Sequence, residues 1–233
     1  MPRRFYPRPP IVEAIIEFRL EGDVAAADIA AALRSALSHE YSNAPAEPES
    51  ARGGANRAQF LVARDGLRLL AYGQAYMSVH VLAPYPGWES FIEQARAAVN
   101  ALTGSIENVA ARALAVRYVD RIQIPLEPAL HLDDYLTLLP KRPAALPDLL
   151  TGFRFGSESQ DEEGLTARIL VASERPIAEG YITVGYDLML ARETTDKWLL
   201  SSTAWEPIVE ELHSRQREIF EQSITETTRE LFQ

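Results

Sequence analysis

Along Ile11–Leu20, apolar and polar residues alternate with a period of two. Val12, Ala14, Ile16, Phe18 and Leu20 fall on one face, and Glu13, Glu17 and Arg19 on the other. That period predicts a strand buried on one side. Over residues 24–37 the period changes: Ile29, Leu33 and Leu37 recur at helical spacing, with Asp23 placed as a candidate N-cap. Residues of about 45–56, rich in Pro, Glu, Ser, Arg and Gly, are expected to form a mobile loop. Three strands follow over 58–64, 67–72 and 76–83, the first two joined by the hairpin dipeptide Asp65-Gly66. Trp88, Phe91, Ile92, Ala95, Val99 and Leu102 then mark an amphipathic helix.

The second half repeats this order. Residues 113–124 read as a strand with Leu114, Val116, Tyr118, Ile122 and Ile124 on one face, and residues 131–139 as a short helix ended by Pro140, Pro143 and Pro147. Strands are predicted over 153–157, 165–173 and 181–190, and Thr203-Ala204-Trp205-Glu206 reads as a capping box. The stripe Trp205, Ile208, Val209, Leu212, Ile219, Phe220, Ile224 and Leu231 predicts one long helix of about 40 Å. Its distal part exceeds what one sheet needs. The excess is expected to be buried against the sister half or, in a homodimer, against a second copy of the chain.

Two local matches reinforce the shared order. Ala75-Tyr76-Met77-Ser78-Val79 corresponds to Gly180-Tyr181-Ile182-Thr183-Val184, and Trp88-Glu89 with Phe91-Ile92-Glu93 to Trp205-Glu206 with Ile208-Val209-Glu210. The fold expected is α+β: one domain, 1–233, of two similar β-α-β-β-β-α pseudo-repeats (about 11–104 and 111–231). Antiparallel sheets would carry their helices on one face, with a long C-terminal helix.

Composition narrows the chemistry. No cysteine occurs among the 233 residues, which removes disulfides, thiolate metal sites and cysteine nucleophiles. The net charge is −10, and of 23 basic residues only Lys141 and Lys197 are lysines. This balance makes nucleic acid an unlikely partner, since phosphate neutralisation needs a concentrated basic surface. The basic cluster Arg3, Arg4 and Arg8 reads as a solvated tail. The uncharged run over 69–88 is interrupted by Gly73, Pro84, Pro86 and Gly87, so no membrane span is expected. With no apolar leader at the N-terminus, the expected location is cytoplasmic.

Three segments carry a resemblance: Pro7-Arg8-Pro9-Pro10-Ile11-Val12-Glu13-Ala14-Ile15-Ile16-Glu17-Phe18-Arg19, Arg117-Tyr118-Val119-Asp120-Arg121-Ile122, and Phe220-Glu221-Gln222-Ser223-Ile224-Thr225. Together they resemble a sporadically distributed family of uncharacterised bacterial proteins of about this length. The resemblance supplies no catalytic residues. Its patchy distribution implies a gene carried by mobile elements, where defence and toxin-neutralising components are common.

Candidate sites are few. His39, His80, His131 and His213 lack partners at zinc-motif spacing, and the acidic turn Glu158, Asp161, Glu162 and Glu163 lacks the order of a calcium loop. Arg52-Gly53-Gly54-Ala55-Asn56 lacks the Lys and Ser/Thr of a phosphate loop, and no serine elbow is present. Glu13, Glu17, Arg19 and Glu21 share a strand face in a manner that invites comparison with tunnel-shaped triphosphate hydrolases, though their order differs. The structural alternative is a charge ladder, in which Glu13, Glu17 and Arg19 face Arg117 and Arg121 across a strand pair. Asp120 falls with Val116, Tyr118, Ile122 and Ile124 on an apolar face, where a carboxyl must be hydrogen-bonded, paired or protonated.

The function expected is a non-catalytic binding module for a small molecule or peptide in a cleft between the halves. Its ligand-binding residues would be Glu17, Arg19, Tyr76, Arg117, Tyr118, Asp120, Arg121 and Tyr181. No catalytic residue, metal ligand or cofactor is assigned. The alternatives are a protein-interaction component of a mobile defence or toxin-neutralising system, and a phosphate-ester hydrolase.

Overall fold

The computed structural model describes residues 4–43, 59–126, 131–140, 145 and 152–233. The loop expected over 45–56, with its Gly-rich stretch, lies outside them. In chain order the elements are β1 (Ile11–Leu20), α1 (Ala26–Leu37), β2 (Tyr41–Ser42), β3 (Gln59–Ala63), β4 (Arg68–Gly73), β5 (Tyr76–Leu82) and α2 (Trp88–Thr103). They continue with β6 (Ala110–Pro125), β7 (Arg154–Gln160), β8 (Leu165–Glu174), β9 (Tyr181–Leu199), α3 (Glu206–Ser223) and α4 (Glu226–Glu230). The fold is α+β.

Among the described residues nine strands join one antiparallel sheet in the order β2-β3-β4-β5-β1-β6-β9-β8-β7. The alternation of β1 explains its central place. Ala14, Ile16, Phe18 and Leu20 are buried on the face that carries the helices, and β5 and β6 supply its hydrogen bonds on either side. Asp65-Gly66 makes the expected turn between β3 and β4: Gly66 has φ 71° and the Asp65 carboxylate accepts from the Leu67 amide at 2.8 Å. On the covered face α1 packs on α2 and β4, α2 on β5, and α3 on β6 and β9. Among the described residues no helix is long and apolar enough to cross a membrane.

Several expectations are corrected. Residues 131–139 form only a 3-10 turn, Leu132–Asp134, followed by an isolated bridge from Leu136 to Ile224. The long C-terminal helix is broken there: Ile224 is extended (φ −118°, ψ 154°), and Thr225 caps α4 by accepting from the Thr228 amide. The break is a tertiary effect, because the Thr225 and Thr228 hydroxyls donate to the Asp134 and Tyr135 carbonyls at 2.5 and 2.6 Å. The distal apolar residues nonetheless pack within the chain: Ile224 and Phe232 are buried, Ile219, Phe220 and Leu231 are half-buried, and Phe220 stands edge-on to Tyr186 and Phe232 edge-on to Tyr6. The capping box does not form; Trp205 is already helical, and Glu206 pairs with Arg96 of α2 at 2.8 Å. Nor does Asp23 cap α1, accepting instead from the Gln74 amide.

Candidate functional site

Between the covered face of the sheet and α3 lies a cavity of about 560 Å³. β6 contributes Tyr118 and Asp120, β9 contributes Tyr186 and Leu188, and the segment entering α2 contributes Tyr85 and Trp88. On α3, His213, Gln216, Arg217 and Phe220 recur every three or four residues and so share the face turned to it. Residues 4–11 form the remaining wall. That segment is anchored rather than free, although Arg4 and Arg8 stay exposed to solvent: the Arg8 amide bonds the Phe232 carbonyl at 3.0 Å, the Arg8 side chain reaches the Gln233 carbonyl, and Arg4 pairs with Glu226 at 2.6 Å. The stretch bearing the resemblance thus forms part of the cavity wall and continues into β1.

The aromatic wall is rigidly built. Trp88 stacks on His213 with ring centroids 3.9 Å apart and planes 4° from parallel, and its indole N–H donates to Glu210 at 2.5 Å. Tyr85 and Tyr118 share a hydrogen bond of 3.1 Å, and Tyr118 meets His213 Nδ1 at 3.0 Å. The Tyr186 hydroxyl donates to Ser223 at 3.0 Å. Burial holds the Tyr118 phenol well above its ordinary range, with the Tyr85 hydroxyl adding to the effect, and burial lifts Tyr85 to about 12.

Asp120 is the exception in this wall. It is 4% exposed, and among the described residues no hydrogen bond or cation engages its carboxyl. Burial, reinforced by the like charge of Asp187 on the neighbouring strand, pushes it up to about 8. At neutral pH the cavity therefore contains a mostly protonated acid among aromatic rings. Gln216 donates to the Val116 and Leu188 carbonyls, leaving its buried Oε1 without a partner.

Tyr118 and Asp120 are the two sequence-predicted residues that meet in this cavity. Glu17 and Arg19 instead line a smaller one of about 180 Å³, beside Glu158, Arg168 and Glu193. β1 and β6 do pair, as the charge ladder requires; their register sets Glu13 opposite Val119 and Arg117 opposite Ile15, so the charges of Glu13 and Glu17 reach Arg117 from diagonal positions. The cations find acids further along the sheet: Arg117 forks onto Asp187 at 2.8 and 2.6 Å, and Arg121 bonds Glu174 at 2.8 Å. Tyr181 stands half-exposed at the start of β9. Tyr76 donates to Ser78 at 3.0 Å.

That last contact ends a buried polar chain. Ser78 Oγ lies 2.7 Å from His80 Nε2, and His80 Nδ1 lies 2.6 Å from Glu13 Oε1. The order serine, histidine, carboxylate is that of a hydrolytic triad. Ser78, however, is completely buried, neither cavity is lined by it, and the Tyr76 hydroxyl already occupies its oxygen. The chain therefore satisfies buried polar groups across β1 and β5. Among the described residues no group of three or more His, Asp or Glu is disposed to hold a metal ion.

Reasoning from sequence missed Tyr85, Trp88, His213, Gln216, Arg217 and Phe220 as cavity residues. The last four were detectable as a polar and aromatic stripe at helical spacing beside the apolar stripe of α3. No protein-family model, curated protein or solved structure matches the chain.

Proposed function

We propose that this protein is a non-catalytic binding module that receives a small molecule in the 560 Å³ cavity. The carrying observation is a concave, aromatic-walled space containing a buried carboxyl that no described residue engages. Its volume lies within the usual range for small-molecule sites of roughly 300–1,000 Å³. In this reading the two halves are pseudo-repeats, and the ligand sits between them.

Several features support the duplication. From the central β1–β6 pair the strands run outwards as β5-β4-β3 on one side and β9-β8-β7 on the other. Ala75 and Gly180, matched in sequence, both adopt positive φ (49° and 80°) just before β5 and β9. Asp65 and Asp161 each accept backbone amides in the corresponding hairpin turns. First-half residues Tyr85 and Trp88 then line the cavity together with second-half residues Tyr118 and Tyr186.

A thermal-shift screen of small aromatic and alicyclic compounds tests the reading. Ligand at a hundred times its Kd should stabilise the fold by about 2.7 kcal/mol. The shift should disappear in Phe220→Trp, which enlarges a ring on the wall. Equal shifts in both proteins, or none across the screen, would overturn it.

A further inference from the structure

We infer that the occupant is an organic amine whose protonated nitrogen pairs with Asp120 while its apolar body lies against Tyr85, Trp88, Tyr186 and Phe220. The inference rests on the proposed role of the cavity and specifies the chemistry of its ligand. It follows from which hydrogen-bonding groups remain unused. The Tyr6, Tyr186 and Trp88 donors go to Glu221, Ser223 and Glu210, and the Tyr85 and Tyr118 hydroxyls are chained to each other and to His213. The wall therefore presents ring faces and two acceptors that no described residue engages, the Asp120 carboxyl and the Gln216 Oε1. Ring faces attract cations, and a buried carboxylate requires a cation or donor.

The surrounding charges bear on this pairing. Asp187 on β9 raises the proton affinity of Asp120, favouring a cationic partner. Arg217 of α3 also lines the cavity; its charge acts on the Tyr85 and Tyr118 phenols, and among the described residues no ion pair joins it to Asp120. Glu221 is engaged by Tyr6 and Arg229, and Arg4 by Glu226. His213 is held between Trp88 and Tyr118, while Glu89 is an exposed residue of the rim. Tyr186 is turned towards Ser223. Without a cationic partner Asp120 stays mostly protonated below about pH 8. An ammonium ligand must displace that proton, which ties binding to pH.

Isothermal titration calorimetry with three probes of one shape provides the test: tryptamine, its neutral analogue tryptophol, and the anion indole-3-acetate. Tryptamine should bind at least tenfold more tightly than either analogue. Its affinity should rise by up to about tenfold per pH unit between pH 6 and 7.5 and level off above 8. Buffers of different ionisation heat should report about one proton released per ligand near pH 6.5. Asp120→Asn should bind tryptamine no more tightly than it binds tryptophol and should remove the pH dependence. Tryptophol or indole-3-acetate binding as tightly as tryptamine, or tryptamine affinity insensitive to Asp120→Asn, would overturn the amine assignment while leaving the cavity a binding site. Failure of all three probes to bind would overturn both readings.

Discussion

Replacing Asp120 by Asn should change how stability varies with pH in the ligand-free protein. In the unfolded chain this carboxyl titrates near 3.8; in the folded protein it titrates near 8. Between those values the folded state holds a proton that the unfolded state has released, so raising the pH favours unfolding. The slope for one such group is about 1.4 kcal/mol per pH unit, and carried over the whole window it amounts to roughly 6 kcal/mol. That is comparable to the entire stability of a typical domain, about 5–15 kcal/mol. Asn has nearly the same shape and no charge to desolvate. Urea denaturation followed by tryptophan fluorescence, at half-unit steps from pH 6 to 7.5, should show wild type losing about 2 kcal/mol relative to Asp120→Asn. The difference between the two proteins isolates this group from every other titration they share. Parallel stability profiles would show that the folded carboxyl is not held protonated, and the reasoning from burial would fail.

Phe220→Ala removes a half-buried ring from Tyr186 and Phe232 and should cost about 1.5–3 kcal/mol, seen as a lower Tm in calorimetry. An unchanged Tm would mean that the end of α3 is not packed as described. Arg117→Met strands Asp187 on the sheet; because both side chains keep about a quarter of their surface exposed, the expected loss is only about 1–2 kcal/mol. The double variant Arg117→Met/Asp187→Leu should recover part of that loss in urea denaturation. Strictly additive losses would mean that the pair is not coupled.

Local signals were legible wherever one residue pattern decided the outcome. The alternation in 11–20 places β1, and the alternation in 113–124 puts Tyr118 and Asp120 together on the helix-bearing face. Asp65-Gly66 forms its turn because a positive φ is needed there and Gly supplies it. What escaped was decided by distant partners. Glu13 and His80 are 67 residues apart, and their contact depends on the register that sets Ile15 opposite His80. Residues 218–230 contain no Gly or Pro to announce a break, and Ile224 leaves the helix because Leu136 offers it a strand-like bridge. Glu206 occupies a favourable capping position but is drawn to Arg96 on another helix. The two site residues found in advance share one strand, whereas the rest of the cavity requires knowing that α3 crosses β6 and β9.

The inner position of β1 governs the order in which the chain can fold during synthesis. β1 can pair with β5 once residues 11–82 have emerged, but its second edge waits for β6, which ends at residue 125. Over that interval the nascent chain carries a ten-residue edge with three Ile, one Val, one Phe and one Leu, the kind of edge that natural sheets protect. The last strand to join the middle of the sheet, β9, ends at residue 199. Closure of the sheet core therefore depends on contacts of long sequence separation, which slow folding. Until β6 arrives, two partly folded copies can pair through their β1 edges, an association that closure of the sheet removes.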